Sequence, residues 1–237
     1  MRHLDISTNY HYKYNMHEPI KVLVLYSGGK DSSATALEMA RLGYYVTLFT
    51  FDDGTPEITG PHGDSAPGIR HQELMRAFPH KIDPLRVFKG NTYLLRKLAL
   101  EKTNATHVVY PLALILNVVS DAILYCLEHG VKHIACGYTG YQGKEDRYIE
   151  QRGDFYLAMQ SFVSEYGIEF HAPFINAEKK TIYNTLEMYN VSANSLESKY
   201  IFSGIPFEVT KALDFWNESL PICRDYISYK RKAFQTN

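Results

Sequence analysis

Lys21-Val22-Leu23-Val24-Leu25-Tyr26-Ser27-Gly28-Gly29-Lys30-Asp31-Ser32-Ser33 is the stretch whose reading decides the fold. The unbroken run of Val and Leu at its start reads as a strand buried on both faces, which a parallel sheet requires. Gly28 and Gly29 let the chain turn tightly and approach a ligand without a Cβ in the way. Asp31 and Ser32 stand where a helix takes capping side chains, and the amides behind them point outward with the positive end of the helix dipole. Strand, tight loop and helix start together make an anion site, most naturally one for phosphate.

Outward from this stretch, residues 34–42 continue an Ala-rich helix that Gly43 ends. Residues 45–51 form a second buried strand, so the unit is βαβ, with ligands expected at the carboxyl edge of a parallel sheet. Between Asp52 and Gly68, Gly54, Pro56, Gly60, Pro61, Gly63 and Pro67 break regular structure. A loop this long reads either as a lid or binding loop or as an unstructured insertion. Helices are expected over 69–78, 92–102, 112–129, 155–166 and 179–189, with strands at 81–88, 132–136 and 168–171. The helix at 112–129 is apolar all round, which predicts deep burial. Residues 138–147 leave their strand in the same sense as the first loop and open on the same face. The expected organisation is an N-terminal extension (1–19), a catalytic domain (20–190) and a C-terminal helical appendage of that domain (191–237).

With 25 Lys and Arg against 26 Asp and Glu, the chain has no global basic field of the kind that recruits nucleic acid non-specifically. Nucleic acid is therefore admitted but not indicated; Arg224, Lys230, Arg231 and Lys232 read as a local patch or as a solvated face. Three cysteines, Cys126, Cys136 and Cys223, without a C-x-x-C pair, argue against a disulfide scaffold and a thiolate zinc site. The expected location is cytoplasmic. No secretory signal and no stretch of membrane-spanning length is expected.

The spacing of the first loop is neither G-x-x-x-x-G-K-[ST] nor G-x-G-x-x-G. Ser27-Gly28-Gly29-Lys30-Asp31-Ser32 instead resembles the S-G-G-x-D-S signature of the ATP pyrophosphatase (PP-loop, adenine nucleotide α-hydrolase-like) superfamily. Three further stretches resemble its 7-cyano-7-deazaguanine synthase family. Gly68-Ile69-Arg70-His71-Gln72-Glu73-Leu74 is similar to G-Q-R-H-x-x-E-L, one residue shorter before the Glu. Tyr141-Gln142-Gly143-Lys144-Glu145-Asp146-Arg147 is similar to D-Y-S-G-Y-P-D-C-R, without the first Asp and the Cys. Pro173-Phe174 followed by Lys179 or Lys180 resembles P-[LF]-x-x-x-x-K. The chain departs from that family after Pro111, where Ala113 and Leu114 replace Arg and Asn. It also lacks the four zinc-binding cysteines, so zinc is not expected.

The resemblance implies an α/β fold of three layers (α/β/α) on a mainly parallel twisted sheet, HUP/Rossmann-like. It further implies a Mg²⁺-ATP-dependent ligase that cleaves ATP to AMP and pyrophosphate, activating a carboxylated deazapurine for attack by ammonia. Other branches remain open: tRNA sulfur insertion, another amidation, or a nucleotide-binding module without turnover that acts through a partner. A homodimer is compatible with either. On this reading Ser27, Gly28, Gly29, Lys30, Ser32 and Ser33 hold the phosphates, and Asp31 binds Mg²⁺ or, more plainly, caps the helix. Thr50, Phe51 and Gly137 border the nucleotide. Lys179 and Lys180 read as phosphate contacts or as solvated lysines, and Asp146 and Arg147 as orienting groups for the acceptor or as a surface ion pair. His71 reads as structural before catalytic, and Cys136 as a buried small residue before a nucleophile.

Overall fold

Along the first strand, Val22 and Val24 face one apolar core and Leu23 the other. A strand covered on both faces must lie inside a sheet with helices on each side. The computed structural model describes residues 18–52, 65–90, 92–102, 110–144, 150–193 and 209–235. It shows five parallel strands, β1 (Lys21–Leu25), β2 (Tyr45–Phe51), β3 (Val87–Lys89), β4 (His133–Ala135) and β5 (Glu169–His171), in the order β3-β2-β1-β4-β5. The helices are α1 (Lys30–Arg41), α2 (Ala66–Ala77), α3 (Thr92–Lys102), α4 (Tyr110–His129), α5 (Gly153–Ser164), α6 (Lys179–Met188) and α7 (Val209–Gln235). Leu37 of α1, Leu74 of α2 and Ile182 of α6 fill the core on one face. Leu94 of α3, Leu116 of α4, Phe155 of α5 and Trp216 of α7 fill the other. The three-layer α/β/α expectation holds.

The chain leaves β1 toward β2 on one side and returns to β4 on the other. The carboxyl ends of β1 and β4 therefore flank a crevice at a topological switch point, where open parallel sheets bind ligands.

Several boundaries differ from the sequence reading, each for a local reason. α1 begins at Lys30, with Gly29 as N-cap and no side-chain cap, so Asp31 and Ser32 lie inside the first turn instead of capping it. α2 begins at Ala66, because Ser65 accepts a hydrogen bond from the Gly68 amide (3.1 Å) and Pro67 suits the first turn. The strand expected over 81–88 shrinks to β3, with only a bridge from Ile82 to Val46 before Pro84. Residues 209–235 form one helix that runs through Pro221. The expectation that no stretch has membrane-spanning length is also corrected. Leu112–His129 is long and apolar enough, with mean hydropathy 1.5, yet α4 packs against α3, α7, β1 and β4 as a core helix. Residues 1–17 of the expected extension over 1–19, and residues 53–64 of the long loop, lie outside the described residues.

Candidate nucleotide site

The loop between β1 and α1 is held from three sides. Gly28 adopts φ +76°, and a Cβ there would stand 2.5 Å from Pro67 Cβ, so glycine serves both the turn and the packing. Tyr26 donates its hydroxyl to the Pro67 carbonyl (2.9 Å), and Thr50 at the end of β2 donates to the Tyr26 carbonyl (3.0 Å). Arg70, fully buried, donates to the Gly28 carbonyl (2.6 Å). Two residues further along α2 from His71, Glu73 accepts from both the amide and the hydroxyl of Ser192 (2.9 Å each). The Arg-His-x-Glu run thus anchors the loop and Ser192 to α2. His71 is buried, its Nε2 is 2.8 Å from the Asp83 carbonyl, and burial pulls its pKa down, all of which suits a structural imidazole.

Within the loop, Ser27 is exposed; its Oγ accepts a long bond from the Gly29 amide (3.3 Å) and stands 3.4 Å from Ser32 Oγ. The first-turn amides of a helix have no intrahelical acceptor, and Gly29 brings no side chain to cap them. Ser32 and Ser33 turn their hydroxyls onto the Gly29 carbonyl (3.2 and 2.8 Å), and Ser33 is fully buried there. The mouth of the loop is therefore formed by Ser27, Gly29, Lys30, Asp31 and the edge of Ser32.

Asp31 is held by side chains from the loop after β4. Tyr141 donates its hydroxyl to Oδ1 (3.1 Å) and Gln142 its amide to Oδ2 (3.3 Å). Burial and the Asp31 carboxylate raise the Tyr141 pKa, which keeps the phenol a donor. Gly137 brings β4 against the same turn, since a Cβ there would sit 2.6 Å from the Ser32 amide nitrogen. Lys30 reaches across to α6, donating to the Tyr183 hydroxyl (2.9 Å). Lys30 lowers the Tyr183 pKa, first by that bond and then by its charge, and Lys179 adds to the effect. Lys179 thus lies within electrostatic reach of Tyr183 on its own helix, and Lys180 is exposed and pairs with Glu178 (3.2 Å). Phe51 packs at the margin of the core beside Thr50. Asp146 and Arg147 lie outside the described residues.

A cavity of about 510 Å³ adjoins Tyr141, between the loop after β4 and the starts of α5 and α6, with Gln151, Arg152, Asp154 and Asn176 in its wall. Sequence reasoning missed Tyr141, Gln142, Tyr183 and Arg70 as neighbours of the loop. Arg70, Tyr141 and Gln142 stood inside the motifs that carried the resemblance, but only the fold shows what they touch. Cys126, Cys136 and Cys223 are all buried, and burial pushes their thiols up to about 12, 12 and 11.

The family model of the queuosine biosynthesis protein QueC matches residues 21–203. The chain belongs to the QueC family. QueC family members are ATP-dependent adenylating enzymes of the PP-loop type, and the loop described above is that signature in place. No curated protein sequence matches the chain. Among solved structures it is similar to a 4-thiouridine synthetase in complex with RNA and bound ATP, with TM-score 0.51 and 14% identity over 87% of this chain and 53% of the synthetase. This chain thus spans about half the length of the synthetase, and the likeness shows the shared fold. The U34-tRNA thiolase NcsA from Methanococcus maripaludis, solved with its [4Fe-4S] cluster, gives TM-score 0.49 and 16% identity over 91% of this chain and 73% of the thiolase. A predicted tRNA methyltransferase subunit from Methanocaldococcus jannaschii gives 0.45 and 19% over 71% and 76%.

Proposed function

We propose that this QueC family member adenylates the carboxylate of 7-carboxy-7-deazaguanine or a similar planar heterocycle and passes it to ammonia. The observation that supports this best is the loop mouth, where first-turn amides, the Ser27 hydroxyl and the Asp31 carboxylate converge at the switch-point crevice. A substrate carboxylate oxygen attacks the α-phosphorus of ATP, and pyrophosphate leaves toward the loop. The amides of α1, with Ser27 and Ser32, hold the departing charge, and preorganised donors of this kind lower the barrier where charge develops. Lys30 and Lys179 add positive potential beside it, and Thr50, Phe51 and Gly137 border the nucleotide.

The donor set suits Mg²⁺. A carboxylate is the hard oxygen ligand this ion takes, and Tyr141 and Gln142 fix Asp31 in orientation at the phosphate loop. When bound, the ion neutralises phosphate charge. The acceptor occupies the cavity beside Tyr141, whose volume falls in the range of small-molecule sites and whose Arg152 offers a planar fork to a carboxylate. Asp146 and Arg147 belong to the same loop and are proposed to orient the acceptor. Buried, high-pKa thiols count against the sulfur-insertion reading, because a nucleophilic cysteine needs an accessible thiolate.

The test is incubation with Mg²⁺, ATP labelled at the α-phosphate, ammonium and 7-carboxy-7-deazaguanine, separating AMP from ADP and weighing the base by mass spectrometry. AMP with an amide or nitrile product is the expected result, falling by about 100-fold or more in Asp31→Asn. Bound ATP without any AMP would rule out 7-carboxy-7-deazaguanine as the acceptor and favour another acceptor or a nucleotide-binding module without turnover.

A further inference from the structure

On the sheet face that carries α1 and α6, His133, Glu169 and His171 come together. In the parallel register His133 lies opposite Glu169 and Ala135 opposite His171. Side chains of directly opposed residues, and of residues two apart along a strand, share a face. All three side chains therefore stand on one side of the sheet. His133 Nδ1 is 3.1 Å from His171 Nε2, and Glu169 Oε2 is 3.6 Å from the first nitrogen and 3.7 Å from the second. The Tyr44 ring packs against both imidazoles, with centroids 5.2 and 6.2 Å away, and restrains their tilt.

A hydrogen bond between the two rings would account for the nitrogens alone. It leaves the carboxylate almost equidistant from both nitrogens and beyond the 2.7–3.2 Å of a good N–H···O bond to either. An ion accounts for all three spacings. Bonds of about 2.0–2.1 Å to imidazole and carboxylate in tetrahedral geometry set neighbouring donors about 3.3–3.4 Å apart. The observed 3.1, 3.6 and 3.7 Å bracket that figure. Two imidazoles and one carboxylate are also a donor set that zinc accepts while keeping a fourth position open. That position has room, because Glu169 and His171 line a cavity of about 590 Å³ that also takes in Met39, Leu42, Tyr44 and Tyr156.

We propose that His133, Glu169 and His171 form a binding site for a divalent transition metal of the zinc type, distinct from the phosphate loop. A bound ion cross-links β4 to the three-residue edge strand β5 and presents its open position to the cavity. The expectation of no zinc rested on cysteine count, which has no bearing on this site. The histidines are separated by 37 intervening residues, so no sequence spacing announces them.

The full chain, stripped with a chelator, is titrated with Zn²⁺ by calorimetry and with Co²⁺ by its visible d–d bands. One equivalent is expected, with a tetrahedral-type cobalt spectrum. His171→Ala should weaken it by at least the roughly 10–100-fold that the loss of a mere outer-shell partner costs. Glu169 is exposed, so Glu169→Gln keeps the fold and should also weaken binding. Asp31→Asn should leave the zinc affinity unchanged. Absence of stoichiometric uptake overturns the proposal, as does uptake that survives in Glu169→Gln and His171→Ala or is lost only in Asp31→Asn.

Discussion

Gly137 has no side chain and no unusual backbone angle to announce it, yet it sets how closely β4 approaches the phosphate loop. A methyl group at this position would meet the Ser32 amide nitrogen at 2.6 Å and Asp31 C at 2.8 Å, both backbone atoms of the first turn of α1. Backbone cannot swing aside as a side-chain tip can, so the turn itself must shift. Gly137→Ala is expected to cost about 1–3 kcal/mol of stability, as overpacking does. It should also lower AMP formation by about 100-fold, since misplacement by an ångström has that effect on positioned groups. Thermal melts and the labelled-ATP assay on one preparation check both. A lower melting temperature with unchanged turnover would reduce the contact to packing. Asp31 shows the same dependence on context: its place after two glycines was legible, but its partners Tyr141 and Gln142 lie 110 and 111 residues away. Contacts of that separation leave no local mark in a single sequence.

The helices α4 and α7 share a buried carboxyl. Asp121 of α4 is buried and accepts from the Tyr226 hydroxyl of α7 (2.7 Å), while its Oδ2 has no partner among the described residues. Burial pushes its carboxyl up to about 6, against the weaker opposing pull of Tyr226, Lys230 and Lys89. The folded chain thus holds this proton more tightly than the unfolded one between about pH 4 and pH 6, and stability falls as pH rises through that window. At about 1.4 kcal/mol per unit, the group costs roughly 3 kcal/mol by pH 7. In denaturant titrations at pH 4.5 and 7.5, Asp121→Asn should lose less stability than the parent chain, because Asn still accepts from Tyr226 but never ionises. Some slope should remain, since burial raises Glu150 to about 7 with the same sign. An unchanged slope would mean that Asp121 is hydrated in solution. The elements themselves were largely legible, because α3 and β2 follow apolar runs whose ends are local. The tail was expected to be helical, but not that its helix would cross Pro221, whose ring ordinarily interrupts a helix; Trp216 packs on Phe155 (5.5 Å) and ties α7 to the core from outside the local sequence.

Across the molecule, the nucleotide crevice draws on β1, α1, β4 and α6, with α2 bracing the loop, so a ligand there ties both halves of the sheet together. Mg²⁺-ATP at 100 times its dissociation constant should add about 2.7 kcal/mol to stability. For a chain of this size that raises the melting temperature by about 5–10 °C. Differential scanning fluorimetry with ATP, with and without the metal, measures it. A flat response would remove the nucleotide from the proposed site, whatever the turnover assay shows. By itself the sequence determined the parallel α/β class, the phosphate loop and its place after the first strand. Those features depend on residues adjacent in the chain: an apolar run, two glycines, and an Asp and Ser at a helix start. Only the tertiary structure decided which side chains hold Asp31, that Arg70 braces the Gly28 carbonyl, that Lys30 reaches Tyr183 of α6, and that two histidines meet a glutamate across β4 and β5. Each of those rests on strand order and register, which are fixed by burying both faces of the sheet at once and not by any short stretch.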